Sequence, residues 1–314
     1  MSACLLCGDS AAHALFRASD RLYGTTTREF AVVRCDGCGL LRLDPRPSSE
    51  ELSLYYPRDY WFAPDPSAAS RFEERYRRLV LRDHVRFVER AWRASGPTGP
   101  LLDVGSGGGL FLAMMRERGF PAVGLDFSAQ AAAVAWRRQG APAVCARLEQ
   151  APFAAGRFAA ITMFHVLEHL PDPRAFLAAA RNLLAPEGRL VVQVPNAACW
   201  QFRLLRGAWT GVDVPRHLFN FRARDLEKLL ACCGFQVLRR KYFSLRDNPA
   251  GLASSLAPRL DPMARRLRRV SESSAMRLAK DLLYFALVVA ALAPTALEAA
   301  CRAGSTVMLE ARPR

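Results

Sequence analysis

The spacing of apolar and polar positions changes along this chain, and the changes mark out its parts. Residues 29–34 (EFAVVR) form a short apolar run that reads as a strand. Residues 44–66 (DPRPSSEELSLYYPRDYWFAPDP) are rich in proline and aromatics and read as an ordered wrapping linker with little regular structure. From Ser70 to Trp92 apolar residues recur at Phe72, Tyr76, Leu79, Val80, Phe87, Val88 and Trp92, a helical period that ends at Gly96-Pro97. Short apolar runs then follow: LLDVG (101–105), AVGLD (122–126), AAITMF (159–164) and RLVVQV (189–194). Between them lie helical stretches such as LFLAMMRERGF and AAAVAWRRQG. Strands alternating with helices predict right-handed crossovers and a mostly parallel, doubly wound α/β sheet, with ligands at the carboxyl ends of its strands.

At 314 residues and 51% hydrophobic, the chain can build one substantial core plus attachments. A net charge of +15 suggests an anionic partner, but nearly all of it is arginine; Lys228, Lys241 and Lys280 are the lysines. With alanine also abundant, this reads as compositional bias, and nucleic acid is not expected as a partner. The opening MSACLLCGDS has no basic stretch leading into an apolar run, so no secretory signal is read and a cytoplasmic location is expected. In such a reducing compartment nine cysteines do not make a disulfide framework. Four of them fall into two C-x-x-C-G knuckles, Cys4 with Cys7 and Cys35 with Cys38. Two residues between thiolates let one tight turn present both sulfurs to a tetrahedral zinc, and the following glycine permits that turn. A zinc ribbon over about residues 1–45 is expected, with a structural zinc, since four thiolates close the coordination shell. Cys145, Cys199, Cys232, Cys233 and Cys301 lack such spacing and read as small apolar side chains.

LLDVGSGGGL (101–110) is a strand, a glycine-rich turn and a helix start. A nicotinamide dinucleotide fingerprint would need a third glycine where Leu110 stands, so that class is set aside. Instead Asp103-x-Gly105-x-Gly107-x-Gly109 resembles the first motif of class I S-adenosylmethionine-dependent methyltransferases. A pyrophosphate favours a bare helix N-terminus, whereas a sulfonium and an amino group suit an acidic residue beside the turn. The resemblance implies that Asp103, Gly105, Ser106, Gly107 and Gly109 surround the methionine end. It places both ribose hydroxyls on Asp126 and the adenine against Phe127, with Leu148 and Phe164 completing the cofactor pocket. VCARLEQAPFAAGRFAAITMFHVLEHLPDP resembles the next two motifs in order and spacing, with one departure. Arg147 stands where relatives often carry an acid for the adenine amino group, leaving Glu149 or the Leu148 backbone to replace it.

PEGRLVVQVPN looks like the fifth strand, FQVLRR the sixth and GSTVMLEARP (304–313) an antiparallel seventh. The whole is similar to bacterial methyltransferases with an N-terminal zinc-binding segment, related to the ubiquinone-biosynthesis O-methyltransferase group. That similarity implies a Rossmann-like seven-stranded class I fold: a zinc ribbon (1–45), a linker and helix (46–98) and a cofactor domain (99–247 with 304–314). Residues 248–303 are then a helical hairpin inserted before the last strand. It carries ARRLRRV (264–270) and the apolar run LLYFALVVAALAPTAL (282–297), which Pro294 interrupts short of the roughly 20 residues that cross a bilayer. A basic helix before an apolar one suits peripheral contact with the inner face of a membrane through 255–300. A hairpin packing over the substrate pocket or on a second subunit is the favoured reading and membrane contact the alternative, and monomer and homodimer both remain open.

Methyl transfer from a sulfonium is an in-line displacement that rests largely on alignment. An oxygen acceptor gains from a general base. MFHVLEHLPDP (163–173) supplies His165, Glu168 and His169, and VPRH (214–217) supplies His217. Strand alternation puts Met163 and His165 on one face at the strand's end. Related O-methyltransferases hold a divalent ion with an E-x-x-E-H version of this motif; here it is H-x-x-E-H, and magnesium prefers oxygen ligands, so a catalytic metal is the lesser expectation. The expected activity is transfer of a methyl group from S-adenosylmethionine to a small-molecule or lipid-like acceptor, at oxygen. Sugar C-methylation and zinc-ribbon RNA methylation are the alternatives. Base-amine methylases commonly place Asn/Asp-Pro-Pro-aromatic after the fourth strand, where HVLEH stands here.

Overall fold

The computed structural model describes residues 2–56, 68–96 and 99–314, so part of the linker (57–67) and Pro97 lie outside the described residues. The chain forms two compact units, each built from several stretches. One, the ribbon unit, takes residues 1–60, 195–226 and 247–307; the other, the sheet unit, takes 61–194, 227–246 and 308–314. This division cuts across the boundaries read from the sequence, because late segments complete the ribbon.

In the ribbon unit β1 (Ala12–Ala18), β2 (Phe30–Cys35) and β3 (Leu41–Leu43) form an antiparallel meander. The two-residue strand β9 (Phe219–Asn220) adds to its edge, with Leu41 opposite Asn220. The unit also holds α1 (Ser49–Leu54), α7 (Trp200–Leu205), α9 (Asn248–Leu256), α10 (Pro262–Leu267) and α11 (Ser274–Ala300). The expected hairpin is therefore three helices. Pro294 does not end the last: α11 runs through it from its cap at Ser273, whose hydroxyl accepts the Met276 N–H. Proline removes one N–H, which a long helix packed along one side can tolerate. That side is the stripe Val288, Ala291, Thr295 and Glu298, at helical spacing.

Arg216 is fully buried and ties the ribbon unit together. Its guanidinium donates to Asp20 (3.0 and 2.9 Å) and Asp213 (3.0 and 2.6 Å) and to the Tyr55 carbonyl at 3.2 Å. Burial pushes the Asp20 carboxyl up, but the Arg216 hydrogen bonds and charge outweigh it and hold the group at about 2.

The sheet unit has strand order β10-β11-β8-β7-β4-β5-β6. These are β4 (Leu101–Val104), β5 (Ala122–Asp126), β6 (Ala143–Cys145), β7 (Phe158–Phe164), β8 (Leu184–Pro195), β10 (Phe235–Lys241) and β11 (Thr306–Pro313). The pairs among β8, β7, β4, β5 and β6 are parallel, and β10 with β11 is antiparallel. The helices are α2 (Ala68–Val80), α3 (Arg82–Ala94), α4 (Leu110–Arg116), α5 (Ala129–Gln139), α6 (Pro173–Leu183) and α8 (Ala223–Cys232). The single helix read over 70–92 is α2 and α3, joined at Leu81 with hydrogen bonding nearly unbroken across the joint.

Continuous apolar runs become strands covered on both faces, and Leu101, Ala160 and Val191 are fully buried beside Val88, Leu112 and Met115. Local signals set the helix starts. Ser128 caps α5, and Asp172 accepts the Arg174 and Ala175 N–H groups with Pro173 in the first turn of α6. The Pro-Asp-Pro after the histidine cluster is thus a helix start. At the antiparallel edge, Glu310 on β11 receives Arg239 from β10 and lies 3.5 Å from Arg189 of β8, pairing charges where the sheet buries them.

Candidate functional site

The carboxyl ends of β4, β5 and β7 carry the glycine-rich turn and its acids. Gly105 has a φ of +73°, and a Cβ there would sit 2.7 Å from the Val166 methyl, so only glycine lets this turn pass the loop after β7. Asp126 holds the turn from the neighbouring strand: one carboxylate oxygen accepts the Gly107 N–H and the other the Ser128 N–H, each at 2.9 Å. Asp103 is buried and accepts the Thr162 hydroxyl at 2.6 Å. Burial pushes Asp103 up to about 7, against the Thr162 bond, with the nearby Asp126 charge adding to the rise. Burial raises Asp126 too, opposed by its two backbone donors. The Ser106 hydroxyl is buried with no partner among the described residues.

Two acids and an unused hydroxyl around a close-approach turn fit the amino group and ribose hydroxyls of S-adenosylmethionine. They oppose a pyrophosphate, whose charges would meet Asp103 and Asp126. Leu148 lies buried in a short 3-10 turn, Leu148–Gln150. Phe127 is 66% exposed beside Asp126. Phe164 packs edge-on against Phe111 and His84, at 5.1 and 5.0 Å. Arg147 stands 3.7 Å from Glu149 at the surface.

His165 does not continue the alternation of β7. The strand ends at Phe164, and His165 adopts a φ of +56°, so it shares no strand face with the fully buried Met163. Its backbone N–H reaches the Gln193 carbonyl at 2.9 Å. The Gln193 amide nitrogen stands 2.8 Å from His165 Nε2 and can only donate, so Nε2 carries the lone pair. Nδ1 then carries the proton and faces Glu168 Oε1 at 3.2 Å. Glu168, 1% exposed, and His169 belong to a 3-10 turn at Leu167–His169. His165 and Glu168 are thus brought together as a hydrogen-bonded pair.

His217 belongs to the ribbon unit and is nearly buried. Its Nδ1 donates to the Gly211 carbonyl at 2.9 Å, which leaves the lone pair on Nε2, 3.8 Å from Asp213. Gln193, Thr162 and Arg216 were not singled out from the sequence. The first two had a signal, each being a polar residue inside an otherwise apolar strand run.

The four knuckle cysteines converge. Their sulfurs all lie within 4.8 Å of one another, with Cys4 to Cys38 and Cys7 to Cys35 at 3.5 Å. A tetrahedral zinc with bonds of about 2.3 Å requires sulfurs about 3.8 Å apart, so the set fits such an ion. The knuckles repeat one turn: Gly8 N–H bonds the Cys4 carbonyl at 2.9 Å and Gly39 N–H the Cys35 carbonyl at 2.8 Å.

A glycine turn closed by two acids at the carboxyl edge of this seven-stranded sheet defines a class I S-adenosylmethionine-dependent methyltransferase domain. Comparison with known proteins agrees: residues 72–240 match the family described as "Methyltransferase domain", and the chain belongs to that family. An uncharacterized protein of Mycobacterium tuberculosis is 34% identical over 155 residues, 49% of this chain and 52% of the relative. The chain thus spans about half the length of that curated relative. The ubiquinone biosynthesis O-methyltransferase of Cronobacter sakazakii is 30% identical over 182 residues, 54% of this chain and 75% of the relative. Among solved structures, geranyl diphosphate C-methyltransferase from Streptomyces coelicolor A3(2) covers 86% of this chain over 100% of its own, with a TM-score of 0.51 and 16% identity. That likeness is one of fold.

Proposed function

We propose that this protein transfers a methyl group from S-adenosylmethionine to a small-molecule or lipid-like acceptor at oxygen. The observation that carries the reading is the turn at 105–109, closed by Asp103 and Asp126 at the carboxyl edge of the sheet. The ubiquinone biosynthesis relative supports an oxygen acceptor. When bound, S-adenosylmethionine supplies an electrophilic methyl group and leaves as a neutral thioether, so the protein has only to align the acceptor and take up its proton.

The two histidines are differently prepared for that proton. His217 has Nδ1–H anchored on a carbonyl and Nε2 3.8 Å from Asp213, near enough to stabilise the imidazolium. The basic nitrogen of His165 is already taken by Gln193. We assign the base to His217, whose imidazolium Asp213 can stabilise, and give His165, held between Gln193 and Glu168, the task of shaping the acceptor side. His165, Glu168 and His169 serve in this reading as a hydrogen-bonded loop, and the chemistry needs no divalent ion there. Zinc at Cys4, Cys7, Cys35 and Cys38 would be structural.

The test is transfer of labelled methyl from S-adenosylmethionine into a lysate fractionated into lipid, sugar and RNA pools. Label in an alkali-stable ether in the lipid pool is the expected result for a lipid-like acceptor, and in a small molecule outside the RNA pool for a polar one. Label confined to RNA, or in no pool, overturns the assignment.

A further inference from the structure

Among the described residues the exposed large apolar side chains are concentrated on α11. Within it an 18-residue window has a mean hydropathy of 1.9 and is only 22% buried, so it is not the core helix of the unit. The stripe Val288, Ala291, Thr295 and Glu298 packs inward, and Glu298 accepts the Gln201 N–H and side-chain amide at 3.0 and 2.8 Å. On the opposite face Leu278, Leu282, Phe285, Val289 and Leu297 are between 48% and 61% exposed. At about 1.5 Å per residue the helix has the length to span a bilayer, but the inward stripe ties it along its side to a folded unit, so it can only lie flat.

The charges around this face are one-signed. Across residues 247–307 every exposed charged residue is an arginine: Arg259, Arg268, Arg269, Arg277 and Arg302. The acids of the segment are buried or half-buried. Asp281 and Glu272 pair with Arg265, Glu272 also with Lys280, and Asp261 accepts Ser254 and the Ala264 N–H. Beside the helix opens a cleft of about 730 Å³ with Arg21, Arg259, Arg268 and Lys280 on its walls together with Leu256 and Val270. A second copy of this chain would bring the same arginines to the same place, and the part-exposed acid on α11, Asp281, is already paired with Arg265. An anionic surface meets them all.

We propose that residues 247–307 are a docking surface for an anionic lipid bilayer. The outer face of α11 sinks among the acyl chains while the arginines and the basic cleft take the headgroup phosphates. The reading needs neither cofactor nor acceptor, so its failure would leave the methyl-transfer proposal standing.

The experiment is sedimentation of the full chain with phosphatidylcholine vesicles, with and without phosphatidylglycerol. The chain should pellet with the anionic vesicles, weakly with the neutral ones, and less as salt rises. The exposed pair Leu282→Ser and Val289→Ser should cut vesicle affinity roughly tenfold or more at unchanged circular dichroism. Arg269→Glu with Arg277→Glu should do the same at low salt by about tenfold or more. Supernatant protein with both vesicle types, or pelleting that neither pair alters, overturns the proposal. So does light scattering that shows a dimer which the Leu282/Val289 variant dissociates while lipid is not bound.

Discussion

Asp103 sits in the cofactor turn at a cost to the fold. Its carboxyl titrates near 7 when folded against an ordinary 3.8, so the folded chain holds the extra proton and is favoured below that window. The stability it contributes is lost as pH rises from about 4 through about 7, by at most about 4 kcal/mol. We expect Asp103→Asn to raise the melting temperature at pH 8 without cofactor and to weaken S-adenosylhomocysteine binding, read by calorimetry on the same samples. His217→Asn should lower turnover by about 10²- to 10⁴-fold with cofactor affinity kept. His165→Gln should keep most of the turnover. If it abolishes turnover instead, the two histidines exchange roles. Arg216→Met would leave Asp20 and Asp213 facing each other in the interior and should cost about 3–5 kcal/mol in denaturant unfolding. With Asp20 held at about 2, the pair's stabilisation is complete above about pH 4 and fades as pH falls toward 2.

Among the elements, how much could be read in advance depended on whether a signal was local. β4, β5, β7 and β8 were legible because apolar runs of four or more residues stand between glycines and helix caps. The knuckles and the Asp103–Gly109 turn were legible because their chemistry is written in consecutive residues. α11 runs longer than its sequence suggests, because Pro294 reads as a breaker and only packing along one side carries the helix through it. The tautomer of His165 was hidden, since it depends on Gln193, 28 residues away, meeting the ring. β9 has two residues and no periodicity to detect. At this scale the metal can be tested directly: one zinc per chain should be released by thiol modification. Cys35→Ser should lower both the zinc content and the melting temperature of the ribbon unit, while a protein that melts unchanged without metal would refute the structural role.

For the whole molecule, cofactor binding should register as stability. S-adenosylhomocysteine at about 100 times its dissociation constant should contribute about 2.7 kcal/mol and raise the melting temperature by several degrees, with NAD giving no shift. Equal shifts from both nucleotides would return the chain to the dinucleotide binders. The division into two units has a further consequence through β9. Its partner β3 ends at Leu43, but Phe219 and Asn220 are made 176 residues later, so the ribbon sheet cannot close until about two-thirds of the chain has left the ribosome. At about 5–20 residues per second that is a wait of about 10 to 35 s. During it the outer edge of β3, with its unpaired backbone groups, stays open to pairing with another chain.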